Sequence, residues 1–471
     1  MAELYVYPVP EGVPVLEDFR VRVRLMGREW MEVGTCLARI DMHHVREASV
    51  AYFDFQGKVE CEVTSLKEDV ASAQIRPRAA GIEFQKEGNT VRFMLEKPAK
   101  LSVEINGDRF HNLHLFAGKA AEEKKTPSLL VEPDGEELDL EEMIRQAPQV
   151  EGRKTVCFAP GLHRLKENKC NVPSDTTVIL SGGAVVMGSF LIYHQKNVSI
   201  TGRGMIYLGH VKKQTYLRGA DISYSENVTV EGVIIMNPAH YSVPLGSSRK
   251  VRIKDIMAFS CEGWSDGIDM MACSDVAIED VFMRNSDDCI AVYGARGDYK
   301  GDTRNVTVKH AVLWADVAHP TMIGVHGDSE NGGSLLENIS FEDVDILEHH
   351  EPQDDYLGCL CINVGDGNTV RNVTYRNIRV EQFERGKLLD IQVKWNKKYN
   401  PIPGNCVEHV VFEDIFYTGE GEFASEIKGY DENRRVTDVR FKNLNVRGKH
   451  VLKPEEGNIH VGEFAEEIVF G

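Results

Sequence analysis

The sequence predicts an all-β chain, a right-handed parallel β-helix preceded by a small antiparallel β-sandwich, and two observations carry that expectation. The first is a repeat. A polar residue, then Val or Ile, a free position and another β-former recur at Asn197-Val198-Ser199-Ile200, Asn227-Val228-Thr229-Val230, Lys250-Val251-Arg252-Ile253, Asp275-Val276-Ala277-Ile278 and Asn305-Val306-Thr307-Val308. The unit continues at Asn338-Ile339-Ser340-Phe341, Asn372-Val373-Thr374-Tyr375, His409-Val410-Val411-Phe412 and Asp438-Val439-Arg440-Phe441, at intervals of 23 to 37 residues. Short β runs at that spacing suit the coils of a solenoid. Each coil stacks its inward residues on the one before, and longer intervals are taken up by loops on one rim. The LxxLxL signature of leucine-rich repeats is absent, and a propeller needs four strands in each blade of about 40 to 45 residues.

The second observation is a change of texture. From Met1 to Gly118 short runs alternate apolar with polar residues. Val59, Cys61 and Val63 share one parity, as do Leu101, Val103 and Ile105, and Asn106-Gly107 follows as a turn signal between strands. Residues 1–118 therefore read as the sandwich. Lys119 to Glu142, charged and holding Lys124, Lys125, Pro127, Pro133 and Gly135, reads as the connection. That leaves 143–471 for the β-helix, with first coils near Thr155 to Gly161 and Val178 to Leu180, after a capping helix around Leu140 to Gln146.

Composition narrows the partners. Of 471 residues 42% are hydrophobic and 27% charged, the balance of an ordinary folded protein. With 54 Lys plus Arg against 73 Asp plus Glu, the net charge of −19 disfavours nucleic acid and anionic membranes. No apolar run reaches membrane-spanning length, and Met1 to Pro10 lacks a basic segment followed by an apolar core, so a cytoplasmic location is expected, with a secreted mature form left open. The ten cysteines, without CxxC pairs, read as mostly buried thiols. A homo-oligomer is compatible with the sequence, and no cofactor is expected.

Two copies of the repeat are followed by unusual acids, in Cys261-Glu262-Gly263-Trp264-Ser265-Asp266-Gly267-Ile268-Asp269 and Asn285-Ser286-Asp287-Asp288-Cys289-Ile290. Asp266 and Asp287 are 21 residues apart, close to one coil, which predicts that they stack on neighbouring strands roughly 4.7 to 4.9 Å apart. Like charges at that range raise at least one pKa, and a carboxyl that keeps its proton near neutrality can protonate a glycosidic oxygen while its neighbours activate water. Asp269, Asp275 and Asp280 are expected to cap turns, the common task of Asp in loops. Adjacent strand residues face opposite sides, so Asp287 and Asp288 can share a cleft only if the backbone is irregular between Ser286 and Asp288.

These residues resemble a known family. Trp264-Ser265-Asp266-Gly267-Ile268-Asp269, Ser286-Asp287-Asp288-Cys289-Ile290-Ala291 and Val325-His326-Gly327 are similar to three consecutive motifs of the polygalacturonases, glycoside hydrolase family 28, a family of pectin-lyase-like β-helices. Asn237-Pro238-Ala239-His240-Tyr241 matches an element that precedes them. The resemblance implies hydrolysis of α-linked galacturonan with inversion, Asp287 as general acid, Asp266 and Asp288 activating water, and His326 supporting the acid. The family's Arg-Ile-Lys element for a substrate carboxylate is displaced here: Arg252-Ile253-Lys254 precedes the acids, as a product of the repeat. At the later position stands Leu389 to Trp395, where Lys394 reads either as a partial substitute or as a solvated lysine. Leu313-Trp314, Pro320 and Ile323-Gly324 look more like the dextranase and isopullulanase family, glycoside hydrolase family 49, which implies an α-glucan as the alternative substrate. The hydrophilic insert Arg296 to Arg304 is expected to shape the cleft.

His240, Tyr241, Trp264, Tyr293, His319, Lys394 and Trp395 are the candidates for contact with a carbohydrate substrate, each weighed against ordinary packing. His349-His350 with Glu348 and Glu351 reads as a solvated loop rather than a metal site. Two rival functions remain: a β-helix polysaccharide lyase whose aspartates hold calcium, and a non-catalytic glycan-binding solenoid.

Overall fold

The computed structural model describes residues 2–120, 127–421 and 423–471. Residues up to Lys119 form two sheets. One contains Glu3–Val6, Cys36–Ile40, Arg46–Gln56, Ala73–Arg76, Ala99–Ile105 and Asp108–Lys119; the other contains Phe19–Leu25, Met31–Val33, Val59–Ser65, Phe84–Glu87 and Thr90–Leu95. The alternation explains their packing, since Val59, Cys61 and Val63 from one sheet and Leu101, Val103 and Ile105 from the other share a single buried core. Asn106 and Gly107 are both left-handed, with φ of 56° and 76°, and fold Ala99–Ile105 back antiparallel on Asp108–Lys119. Pairing is antiparallel except that Asp108–Lys119 runs parallel to Arg46–Gln56.

The β-helix follows as one continuous sheet of stacked strands, parallel except where Lys449–His450 turns back on Val436–Val446. Its first strand, Leu129–Val131, already pairs with Lys154–Phe158, inside the stretch expected as a connection. Lys124 and Lys125 of that stretch lie outside the described residues. Leu140–Gln146 is the one α-helix among the described residues. Asp139 caps it by accepting the N–H of Glu142 (3.2 Å), and its Leu140 and Ile144 cover the end of the solenoid core.

The repeat now has a physical reading. Val198, Val228, Val251, Val276 and Val306 fall into one register column, continued by Ile339, Val373, Val410 and Val439. Two residues along, Phe341, Tyr375, Phe412, Phe441 and Phe470 stack with centroids 4.6 to 5.1 Å apart. The polar residue that opens each unit sits in the left-handed region, φ 50° to 58° from Asn197 to Asp438. Asn and Asp tolerate that conformation best among residues with a side chain. Their amides also link coil to coil, Asn338 donating to Asn305 (3.1 Å) and Asn372 to Asn338 (3.2 Å).

The sandwich lies along the solenoid. Phe116 and His114 pack on Phe259, Phe282 and Trp314, one from each of three coils. Buried Arg284 reaches across this seam to Asn112 (3.0 Å) and His114 (2.9 Å) while pairing with Asp316 (2.9 Å). Arg76 pairs with Glu104, Glu348 and Glu381 in the same way. The expected solvated loop at 348–351 is therefore corrected. Glu348, His349 and Glu351 are all buried, with the two ring nitrogens of His349 set against the carbonyls of Ala318 and Leu357. All ten cysteines are free and none is exposed.

Candidate active site

Register decides which acids meet. Ile268 pairs with Ile290, so Asp266 comes into line with Asp288, one residue away from the expected partner Asp287. The coils approach closely here: a Cβ on Gly267 would lie 2.2 Å from the carbonyl oxygen of Cys289, a distance only glycine permits. Strand structure stops at Asn285 and resumes at Ile290. That is the irregularity two adjacent inward-turned acids require. One oxygen from each of Asp266, Asp287 and Asp288 lies within 4.8 Å of the others, a grouping that would also suit a metal ion.

Their surroundings give these carboxyls opposite proton affinities. Burial and the neighbouring Asp288 push Asp287 up to about 7, against the N–H groups of Trp264 (2.9 Å) and Asp288 (3.1 Å) that donate to it. Asp288 is held below its ordinary value despite burial: its Oδ1 accepts from the His319 ring (2.6 Å) and backbone (3.1 Å), and its Oδ2 from the Tyr293 hydroxyl (2.8 Å). His319 Nε2 faces the Tyr356 carbonyl (2.7 Å), so both ring nitrogens face acceptors, and the Asp288 charge favours the imidazolium. Burial opposes that charge, but Asp288 prevails and raises His319 to about 9. Burial and Asp269 push Asp266 well above the carboxylate range. Asp269 is pushed well above the carboxylate range by burial and by Asp288, and neither of its oxygens has a hydrogen-bond partner.

The acids open into a cavity of about 320 Å³ lined also by Met42, His43, Trp264, Tyr293, Arg296, His326, Tyr356, Lys398 and Tyr399. Trp264 is half exposed at its rim. His240 and Tyr241 are buried beside it, their rings 4.1 Å apart, and His240, whose Nδ1 has no partner, is lowered to about 4 by burial. Three expectations change. His319 is wholly buried and spent on Asp288, so it is no sugar contact. His326 bonds Arg296 rather than an acid and is lowered to about 3 by burial and that guanidinium. Lys394 and Trp395 line a separate hollow of about 470 Å³ that shares Lys398 with the lining of the acid cavity; Lys394 bonds the Asp355 carbonyl and Trp395 the carbonyl of Asn400 (2.9 Å). Arg252 and Lys254 pair with Glu279 on the outside of the solenoid.

Sequence reasoning missed Asp269, read as a turn cap, and Arg296, hidden in a hydrophilic insert. Asp269 had a legible signal, because it directly follows Ile268 on a strand whose apolar residue faces the core. Met42 and His43 had none: nothing local says that a sandwich loop reaches the acids.

A sequence profile for glycosyl hydrolases family 28 matches residues 129–461, most of the chain and all three acids. The chain belongs to glycosyl hydrolases family 28. Within the family it is similar to the probable exopolygalacturonase B of Neosartorya fischeri, 26% identical over 243 residues, 46% of this chain and 49% of that protein. The polygalacturonase of Chamaecyparis obtusa is 26% identical over 190 residues, 33% and 36% of the two chains. The chain thus spans about half the length of the first curated relatives it matches. The likeness to these exopolygalacturonases speaks against the expected cytoplasmic location, which is corrected here. Among solved structures, Dex49A from Penicillium minioluteum superposes with a TM-score of 0.74 at 13% identity, covering 99% of this chain and 96% of that one. The family 28 exopolygalacturonase of Yersinia enterocolitica gives 0.56 at 12% identity, covering 92% and 98%. At these identities the likeness is one of fold.

Proposed function

We propose that this family 28 member hydrolyses α-glycosidic bonds of a galacturonan-like oligo- or polysaccharide, with inversion. One observation carries the reading: three carboxyls share a cavity, one poised near neutrality and one held ionised. Asp287 gives its proton to the glycosidic oxygen as that bond breaks. Asp288 takes a proton from the water that bonds to the anomeric carbon, and Asp266 orients that water. His319 and Tyr293 are positioning residues for Asp288, and neutral His326 steadies Arg296. Arg296 and Lys398 are the wall cations suited to a uronate carboxylate, and Trp264 offers a face for a sugar ring. A neutral α-glucan is the second reading, favoured by Lys394 standing outside the acid cavity.

A chromatographic digest of oligogalacturonides and isomalto-oligosaccharides, with and without chelator, tests both. Saturated galacturonide products formed in chelator support the proposal. Ultraviolet-absorbing products that vanish with chelator would replace it by a calcium-dependent lyase. Stereochemistry has its own test, since oxygens within 4.8 Å are nearer the spacing of about 5 Å found in retaining enzymes than the wider inverting one. Proton NMR of the first product should show the β-anomer from an α-bond; the α-anomer would mean a covalent intermediate.

The pH profile should follow the two carboxyls. Asp287 must be protonated and Asp288 ionised, so kcat/KM should be level in the mildly acidic range and fall as pH rises through about 7. An alkaline limb displaced well above 7 would take the proton-donor role from Asp287. The His319–Asp288 pair adds a stability effect: with His319 raised to about 9, its contribution is complete below about 6.5 and lost as pH rises through about 9.

A further inference from the structure

We propose that the N-terminal sandwich is a working wall of the glycan site: its Asp41–His44 turn closes the cleft beside Trp264, so that the protein takes the end of a glycan chain rather than its middle. This rests on the glycan-cleaving reading above.

The strand Cys36–Ile40 is fastened at the same corner of three successive coils. The N–H of Arg39 donates to Asn237 Oδ1 (2.9 Å) and Asn237 Nδ2 donates to the Arg39 carbonyl (2.7 Å). The Cys261 thiol donates to the Ile40 carbonyl (3.3 Å), and the N–H of Met42 donates to Ser286 Oγ (3.1 Å). Cys261 and Ser286 belong to the two segments that carry Asp266 and Asp287. The turn is therefore registered on the acids themselves. It is also stiff: Asp41 takes φ of 56°, and its Oδ1 accepts the N–H groups of His43 (3.0 Å) and His44 (3.2 Å).

Met42 and His43 consequently stand in the cavity wall with Trp264 and Asp287. The wall of the same cavity also includes Gln353, Tyr356, Lys398 and Tyr399. The space they line, about 320 Å³, is at the small end of ligand pockets, which run from about 300 to 1,000 Å³. A polymer threading through would need both sides open.

The test is a digest of end-labelled oligosaccharides of increasing length, comparing the native chain with a Met42→Gly, His43→Gly double variant and with His43→Trp. The native chain should shorten the ladder from one end. The double variant should cut internally, with its ratio of kcat/KM on the longest over the shortest substrate raised about tenfold, and His43→Trp should lower the same ratio. Unchanged product sizes and ratios in both variants would overturn the proposal, the tryptophan variant covering any loss of fold in the double one. An Asp287→Asn arm separates the two readings: cleavage that survives it sinks the reaction but leaves a turn-dependent product pattern standing.

Discussion

Asp287→Asn is expected to lower kcat by about 10³-fold, about 4 kcal/mol of transition-state free energy, with KM little changed. The amide keeps the size of the side chain, and its oxygen still accepts one of the two backbone N–H groups at Trp264 and Asp288. It has no proton to give. Because the effect falls on the step rather than on binding, kcat and kcat/KM should drop together. The descending limb near pH 7 should disappear from the residual rate, since its titrating group is gone. Initial rates on an end-labelled oligosaccharide across pH measure both. Native-like rates in the variant would remove Asp287 from the reaction, and a loss confined to KM would make it a binding residue.

The largest effect on stability is expected far from the cavity floor, at Arg284→Met. Arg284 and Asp316 are both wholly inaccessible, joined by two bonds of 2.9 and 3.0 Å, with Trp314 4.0 Å beneath the guanidinium. The same guanidinium satisfies Asn112, His114 and the Arg109 carbonyl of the sandwich. Removing it strands a buried carboxylate, which costs about 3 to 5 kcal/mol. Adding Asp316→Leu should recover much of that, because the cost lies in the unpaired charge rather than in the lost pair. Urea unfolding followed by far-ultraviolet dichroism reads the shift in the first transition. A change below about 1 kcal/mol in the single variant would mean that water reaches Asp316.

How much was legible follows from what a local pattern can encode. Each coil writes itself into sequence, because Val228, Val251 and Val276 must point inward and Asn227 or Asp275 must turn the chain just before them. The solenoid, its capping helix and the break between Ser286 and Asp288 were readable for that reason. The pairing of Asp266 with Asp288 was missed by one residue, since rim loops hide the register that Ile268 and Ile290 set. His319 was misjudged because burial and a carboxylate partner come from a later coil. Arg296 and the Met42–His43 wall depend on tertiary contacts that span tens to hundreds of residues, where spacing carries no signal.

The seam between sandwich and solenoid has a further consequence. In a purely stacked protein each coil depends on its two neighbours, so opening that starts at one end can run inward step by step. Here Arg39, Ile40 and Met42 rivet three coils to a second body, and Arg284 and Arg76 repeat the joint higher up. The strand Ala465–Phe470, with no buried residue, has no such splint among the described residues. Amide exchange should therefore be slowest in the coils that keep the aspartates, so that local opening elsewhere in the solenoid is halted before it reaches the chemistry.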